Sequence, residues 1–322
     1  MKTPMALLAL VAALAAQSAT AADNLTFGVV AKLALQWPVY AALEKGYFDR
    51  AGLKLDIVAT GGSAKAAQQL AAGAINIGEA GLPDLLRPIE QGAPIKIVAY
   101  EVAEPPYKLV GRKEVRSLAE LKGKKVMIGG TKDITLIYLE ALAKPAGLKA
   151  SDFDLLYAGA TTARYAALAS GGVDAAILTS PFDFQALGQG YSNLGSVHEV
   201  LPGLPFTGYG VNTTWAGAKR NTIVNFLRAV HQGVEWLYDP KNRDEAVAIL
   251  VKATGAKPED SAKTYDLFFH ELRAFRRDGS MPAEGFRRLL EAVAELGDLP
   301  KPPPAAAKFM DDSYLKAAFA GR

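Results

Sequence analysis

Apolar segments typical of strands alternate with segments typical of helices along most of this 322-residue chain. In the first unit LTFGVV at 25–30 predicts a strand, a helix runs from Pro38 to Gly46, and the alternation in LKLDIV at 53–58 predicts a second strand. A strand, a helix and a strand within about thirty-five residues is the size of one parallel crossover. The pattern therefore predicts an α/β protein whose parallel sheets are covered by helices on both faces.

The same alternation continues to about residue 214. Beyond it the chain reads as helical, with breaks at Asp239-Pro240, Lys257-Pro258 and the proline run 302–304. The further strands are predicted at 75–78, 95–102, 108–112, 125–129, 154–159, 174–179 and 206–214.

Two passages rich in proline and glycine interrupt this alternation, at Pro105-Pro106-Tyr107 and at 202–214. If both are crossovers, residues 112–205 form a second lobe inserted into a first lobe made of 23–111 and 206–322. A chain of this length also favours two domains. Two lobes with a double connection predict a hinge, because a few backbone rotations in the connections can swing one lobe onto the other.

The N-terminal residues have the pattern of a secretory signal. Lys2 precedes an apolar run at 5–16, and Ala19-Thr20-Ala21 fits a small-x-small cleavage site. The run is shorter than the roughly twenty residues that a membrane span needs. The chain has no cysteine, so no lipid can be attached to one. We expect residues 1–22 to be cleaved, leaving a soluble protein in a bacterial periplasm without a lipid anchor.

The charge of the chain argues against nucleic acid and anionic membranes as partners. The formal net charge is only +3, which gives no footprint for nucleic acid or for an anionic membrane. Near the end of the chain a group of arginines alternates with apolar and acidic residues at helical spacing, which favours a solvated helix face. These arginines are Arg273, Arg276, Arg277, Arg287 and Arg288.

A ligand site is predicted where strands end and helices begin. Unpaired N–H groups and the helix dipole favour anions there, and glycine, serine and threonine follow several strands at 60–63, 129–133, 159–162 and 179–181. None of these turns matches the phosphate-loop pattern, so we expect no ATP hydrolysis. The residues predicted to contact the ligand are Trp37, Gly62, Ser63, Glu79, Gly81, Thr131, Lys132, Thr161, Thr162, Arg164 and Thr179.

Four of these side chains have two interpretations each. Trp37 could stack on a ligand or pack in the core. Lys132 and Arg164 could each pair with an anion or lie solvated at the surface. Glu79 would repel an anion unless it meets an amine, a hydroxyl or an arginine, which favours a ligand with both donor and acceptor ends or a salt bridge between the lobes.

The sequence offers little for an enzyme. His198, His231 and His270 lack metal-ligand spacing, and no G-x-S-x-G or H-E-x-x-H motif is present. We therefore predict a binding protein with no catalytic residues, no metal site and no cofactor.

Several segments together resemble one family of binding proteins. The chain is similar to periplasmic solute-binding proteins of ABC importers, in the branch that includes nitrate-, sulfonate- and taurine-binding proteins and binding proteins for the thiamine pyrimidine precursor. The resemblance covers the chain after residue 22. It rests on PVYAALEKGYFDRAGLKLDIV at 38–58, GGS at 61–63, VRSLAELKGKKVMIGG at 115–130, GGVDAAILTSPFDF at 171–184 and FMDDSYLKAAF at 309–319.

This resemblance implies a type II-like fold of two α/β lobes that close on a small anion of sulfonate, taurine, nitrate or carboxylate type. It implies a monomer that delivers its ligand to a membrane permease with an associated ATPase. A heteroaromatic ligand, such as a thiamine pyrimidine precursor, is an alternative. Two further alternatives are a sensor module and a pyrimidine-precursor synthase, although the synthase's cysteine-rich motif has no counterpart in this cysteine-free chain.

Overall fold

The structure is a computed structural model that describes residues 22–320. The predicted signal segment, except for Ala22, lies outside the described residues, so its cleavage stays a prediction. Within residues 22–320, no helix has both the length and the hydropathy that crossing a membrane requires.

The strands of the described chain fall into two five-stranded sheets. The first has the order β2-β1-β3-β10-β4 and the second the order β7-β6-β8-β5-β9. We call the parts of the molecule built on these sheets lobe one and lobe two. The strands are β1 (Asp23–Val29), β2 (Leu53–Ala59), β3 (Ile77–Gly81), β4 (Ile95–Tyr100), β5 (Tyr107–Gly111), β6 (Lys125–Ile128), β7 (Asp154–Tyr157), β8 (Ala175–Thr179), β9 (Ser192–Ser196) and β10 (Thr207–Asn212).

Helices flank both sheets, and the chain after β10 is almost entirely helical. They are α1 (Trp37–Glu44), α2 (Tyr47–Arg50), α3 (Ser63–Ala71), α4 (Leu82–Glu90), α5 (Ile134–Ala143), α6 (Thr161–Ala169), α7 (Phe182–Gly188), α8 (Val197–Val200), α9 (Thr213–Ala218), α10 (Arg220–Tyr238), α11 (Arg243–Thr254), α12 (Pro258–Tyr265), α13 (Ala283–Glu295) and α14 (Ser313–Phe319). The predicted α/β class is confirmed.

The prediction of parallel sheets is wrong for one strand in each sheet. β10 runs antiparallel to β3 and β4, and β5 runs antiparallel to β8 and β9. β5 and β10 are the first strands after the chain passes from one sheet to the other. The parallel strands of both sheets end at the edges that face each other. A chain arriving across that gap enters the sheet from the end where the parallel strands finish, so it runs against them.

The change of sheet does not fall at the predicted boundary. The predicted lobe one includes residues 107–111, but these residues form strand β5, which pairs in the second sheet. The chain therefore changes sheets between Tyr100 and Tyr107. The return to the first sheet begins at Thr207, next to the predicted boundary at 205–206. The movement of the two lobes as separate bodies stays a prediction.

Aromatic packing joins the first sheet to its longest helix. Phe27 of β1 lies against Phe226 of α10, with ring centroids 5.3 Å apart, and Tyr209 of β10 contacts both rings. All three are almost fully buried, and burying one such side chain contributes about 1.5–3 kcal/mol. This core fixes β3 and β10, the two strands that carry acidic and polar side chains toward lobe two.

Candidate ligand cleft between the lobes

The two lobes touch at the ends of their parallel strands. A Cβ atom added to Gly159 of lobe two would lie 2.8 Å from the carbonyl oxygen of Gly61 in lobe one. Nearby, the backbone N–H of Ala34 in lobe one donates to the carbonyl of Ser180 in lobe two over 3.3 Å. The predicted loops of both lobes therefore face each other across one cleft.

Contact at Gly159 divides this cleft into two spaces. The outer pocket, of about 660 Å³, is open to solvent and is lined by residues 61–65 of lobe one and 129–133 of lobe two. The inner cavity, of about 20 Å³, is lined by side chains of both lobes, including Ser63 and Glu79 of lobe one and Tyr107 and Arg164 of lobe two. A cavity of that volume has room for about one water molecule.

Another pocket, of about 790 Å³, lies away from the cleft between α13, residues 303–307 and α14. Its lining is mainly apolar. The charged side chains at its edge are already ion-paired: Asp278 with Arg276, Arg287 with Glu284 and Glu291, and Lys316 with Asp312. Its volume alone does not make it a site for a charged ligand.

The positive charge of the inner cavity is the guanidinium of Arg164, in the first turn of α6. The residue is 1% exposed. Its Nε donates to the carbonyl of Ile177 over 2.6 Å, and one terminal nitrogen donates to the carbonyls of Ala158 and Gly159 over 2.9 Å each. No salt bridge to Arg164 forms within residues 22–320. Carbonyl dipoles orient this cation without cancelling its charge.

Tyr107 lies beside this arginine at the start of β5. Burial raises the pKa of the Tyr107 phenol, and the Arg164 guanidinium opposes that shift. The phenol therefore stays protonated and can act as a hydrogen-bond donor at neutral pH.

A carboxylate from lobe one, Glu79 in β3, lines the same cavity. Glu79 is fully buried, and its Oε2 accepts a hydrogen bond from the side-chain amide of Gln36. Its Oε1 has no hydrogen-bond partner in the described chain. Burial raises the pKa of Glu79 well above its ordinary range, whereas the Gln36 amide and the backbone N–H of Val30 oppose the shift.

Two more carboxylates face each other where the inner cavity meets the outer pocket. Asp84, in the first turn of α4, pairs through Oδ1 with Arg87 over 2.8 Å, and its Oδ2 has no hydrogen-bond partner in the described chain. Asp133 caps α5 from lobe two and accepts from the Thr135 backbone N–H over 2.9 Å. Burial raises the pKa of Asp84 to about 7, and the charge of Asp133 adds to the shift.

The structure brings together seven of the predicted contact residues on the walls of these two spaces. Ser63 accepts a hydrogen bond from the Gly81 N–H over 2.8 Å and reaches both spaces. Lys132 is 78% exposed at the outer pocket, where its Nζ lies 3.9 Å from Asp298. The residues that line one or both spaces are Gly62, Ser63, Glu79, Gly81, Thr131, Lys132 and Arg164.

The other predicted contacts have different surroundings. Trp37 is fully buried, its indole N–H donates to the Ala246 carbonyl over 3.0 Å, and its ring packs on Tyr265 and Phe269, so it is a core residue and not a stacking platform. Thr161 and Thr179 are buried and joined by a backbone-to-hydroxyl hydrogen bond of 3.1 Å. Thr162 is exposed and lines neither space.

Sequence reasoning missed Gln36, Asp84, Tyr107 and Asp133. The sequence could have predicted Asp133 as a helix cap, since an Asp before an apolar helix is a common N-cap. It could not have predicted that this cap faces the other lobe. The three histidines are not gathered: His198 lies by Glu199, His270 by Asp266, and His231 by Phe319. In the described part of the chain, no three His, Cys, Asp or Glu side chains are placed to hold a metal ion.

Two α/β lobes on five-stranded sheets, with a cleft where their strands end, define the periplasmic binding protein fold. The family described as "NMT1/THI5 like" matches residues 36–243, and the chain belongs to this family.

Solved structures with this fold resemble the whole described chain. The ligand-binding component of an ABC-type import system from Staphylococcus aureus, solved with zinc bound, has a TM-score of 0.78 at 16% identity, covering 92% of this chain and 99% of that one. The alkanesulfonate-binding protein of Xanthomonas axonopodis, bound to MOPS, has a TM-score of 0.73 at 20% identity, covering 89% and 97%. At these identities the likeness establishes the fold.

Curated relatives match a smaller part of the chain. The 4-amino-5-hydroxymethyl-2-methylpyrimidine phosphate synthases of Saccharomyces cerevisiae are 28% identical over 143 residues. The match covers 44% of this chain and 41% of the synthases, so the chain spans less than half the length of these relatives.

Proposed function

We propose that this protein is the periplasmic binding component of an ABC importer, which captures a small acid of sulfonate, taurine, nitrate or carboxylate type by closure of its two lobes. The observation that carries the proposal is the buried, carboxylate-free guanidinium of Arg164 on the wall of a cavity formed by both lobes. A cation held this way is stabilised by an anion that reaches it.

Residues of both lobes line the inner cavity, so a ligand there interacts with both at once. A ligand that binds the closed arrangement better than the open one shifts the protein toward closure. The closed form is then the surface that a membrane permease, with its ATPase, recognises. The signal-like residues 1–22 support export to the periplasm.

Binding without catalysis fits the side chains of the cleft. The cavity is lined by one guanidinium, carboxylates, Tyr107 and hydroxyl side chains. Its contact between a hydroxyl and a carboxylate, Thr135 with Asp133 over 2.6 Å, belongs to the cap of α5, where the Thr135 hydroxyl also accepts from the Gly129 N–H over 2.7 Å. The two solved structures described above are of a ligand-binding component of an importer and of an alkanesulfonate-binding protein, which supports a binding role here. The match to yeast pyrimidine phosphate synthases supports a heteroaromatic ligand as a second candidate.

A thermal-shift experiment on residues 23–322 tests the proposal. At one hundred times Kd a ligand adds about 2.7 kcal/mol of stability, which raises the melting temperature by a few degrees. We expect such a shift with at least one of nitrate, ethanesulfonate, taurine, propionate and β-alanine, and no consumption of that compound. The absence of a shift with all five, or turnover of any, would contradict the proposal.

A further inference from the structure

The unpartnered oxygen of Glu79 is the starting point. Gln36 cannot serve both carboxylate oxygens, because its own amide oxygen accepts from the Leu33 N–H over 3.0 Å and the Tyr40 hydroxyl over 3.2 Å, which fixes its orientation. Its amide nitrogen therefore stays directed at Oε2 of Glu79. The backbone N–H of Val30 is near enough to lower the pKa of Glu79, but it makes no well-oriented hydrogen bond to Oε1. A buried carboxylate oxygen without a donor is costly, and it lies on a wall of the inner cavity.

Arg164 occupies the wall that belongs to lobe two, and it does not pair with Glu79. Neither a salt bridge nor a hydrogen bond joins the two side chains, although both line a cavity of about 20 Å³. A site built for a simple anion would gain from Arg164 and lose from repulsion by Glu79. Asp133 and Tyr107 also line the cavity and add no second cation.

We propose that the cleft takes a small zwitterion, whose acidic end binds Arg164 of lobe two while its ammonium end binds the free oxygen of Glu79 in lobe one. The inference rests on the proposed function and selects among the acids considered there. Such a ligand supplies an acidic partner to the cation of lobe two and a donor to the unsatisfied oxygen of lobe one, so both ends are needed to hold the lobes together. Simple anions such as nitrate leave Glu79 unsatisfied.

A neutral Glu79 that donates to an anion is the competing arrangement. Burial favours the neutral form of this carboxyl. Its titratable neighbours are Glu101, which follows β4, the phenols of Tyr40, Tyr107 and Tyr209, and, across the cavity, Arg164 and Asp133 of lobe two. The two arrangements predict opposite responses to Glu79→Gln. Glutamine keeps a donor for an anion, but it removes the charge that an ammonium requires.

Glu101 supplies a matched control. It is 4% exposed and carried by lobe one, yet both of its oxygens are satisfied, by the Thr207 hydroxyl over 2.9 Å and the Tyr209 hydroxyl over 2.7 Å. Glu101→Gln therefore removes a buried carboxyl that does not itself line the cavity.

Calorimetric titration at pH 7.5 with two pairs of compounds tests the inference. Taurine and ethanesulfonate differ by one amino group, as do β-alanine and propionate. We expect the zwitterion of at least one pair to bind more than about tenfold tighter than its partner. Glu79→Gln should reduce that preference to less than about threefold, whereas Glu101→Gln should preserve it.

Equal binding of both members of each pair by the wild-type protein would overturn the zwitterion while leaving anion capture intact. Retained preference in a folded Glu79→Gln variant would overturn the role of Glu79. If that variant does not fold, as judged by circular dichroism, the comparison of pairs in the wild-type protein decides alone. Binding of none of the four compounds would overturn the inference, and binding of nitrate alone would then show that the proposed function survives it.

Discussion

At the scale of single residues, the cleft is marked by buried charges that the protein does not neutralise internally. Arg164 donates hydrogen bonds to backbone carbonyls but pairs with no carboxylate of the described residues. Glu79 and Asp84 each have one carboxylate oxygen that accepts no hydrogen bond from the described residues. The places of two of these residues in the sequence, Glu79 just after a predicted strand and Arg164 near a predicted helix N-terminus, were enough to name both as candidates, and ligand contact by either stays a prediction. The sequence could not show that Trp37 is enclosed by Tyr265 and Phe269, because those partners lie more than two hundred positions away.

Arg164 and Lys132 should differ in their effect on ligand binding. We expect Arg164→Met to weaken binding of the tightest of the four test acids by about 10- to 100-fold, since a buried charge-assisted hydrogen bond contributes roughly 1.5–3 kcal/mol. Lys132→Ala should change it less than about twofold, because Lys132 is 78% exposed and already near Asp298. Calorimetric titration measures both. Losses of equal size would show that Arg164 is not the anion contact.

Asp84 should make stability depend on pH. Its pKa of about 7 in the folded protein lies above the ordinary value of 3.8 for an aspartate side chain. The folded state therefore holds this proton more tightly, and the stabilisation is complete below about pH 4 and is lost as the pH rises through 7. In the wild-type protein the free energy of unfolding should therefore decline as the pH rises through 7. Asp84→Asn should remove the contribution of Asp84 to this decline, which is a few kcal/mol at most.

Urea unfolding at pH 5 and pH 8 measures this effect. Asp298→Asn is the control, since Asp298 shares Arg87 with Asp84 but its side chain is 14% exposed, against 1% for Asp84. An unchanged pH slope in Asp84→Asn, with the control also unchanged, would show that Asp84 does not hold the proton.

At the scale of elements, the alternation of strands and helices was readable, but strand pairing was not. INIG at 75–78 predicted a strand ending before Glu79, whereas β3 runs from Ile77 to Gly81 because Glu79 pairs with Tyr209 of β10. The strand β9 was missed, since SNLGS has one large apolar residue and is organised by pairing with β5. Both depend on a partner strand that comes from elsewhere in the chain.

The loop before α6 should control how closely the lobes approach. In Gly159→Ala the new methyl would lie 2.8 Å from the Gly61 carbonyl oxygen, which is closer than Cβ atoms come to backbone, so the lobes would have to separate. We expect weaker ligand binding with little change in melting temperature. Gly62→Ala is the control from the opposite side, where the new methyl meets Gly159 at an ordinary 3.5 Å. Unaltered affinity in Gly159→Ala would exclude this contact from the bound form.

The contact between α1 and α10 should not tolerate a side chain. A Cβ on Gly233 would lie 2.2 Å from the Pro38 carbonyl oxygen, so Gly233→Ala must push the helices apart. We expect a loss of about 1–3 kcal/mol in the free energy of unfolding, the usual range for overpacking. Gly217→Ala in α9, where the new methyl meets nothing within 4 Å, should be close to neutral. Urea denaturation distinguishes the two.

At the scale of the whole molecule, the two connections between the sheets explain how a cleft can open without unfolding either lobe. The chain crosses between β4 and β5 and again before β10, and both crossings pass the edges where the lobes meet. Each sheet has a buried cluster of its own, which a rotation at the crossings would leave intact. A further buried cluster contains side chains of both lobes, so it would have to rearrange where the lobes meet. The sequence indicated both crossings through proline and glycine, but the predicted boundary at 111–112 placed β5 in lobe one, whereas β5 pairs in the second sheet.

Ligand capture should therefore reduce the radius of gyration of the protein. The contact of Gly159 with Gly61 separates the inner cavity, of about 20 Å³, from the outer pocket, so the lobes must part before a ligand enters. Without ligand, we expect small-angle scattering to show a larger radius than with a saturating concentration of whichever test acid binds. Arg164→Met should stay at the larger radius at that same concentration, because the lobe-two contact is lost and closure needs contacts from both lobes. An identical radius for the wild-type protein with and without bound ligand would contradict lobe closure, and with it the recognition of a closed form by a permease.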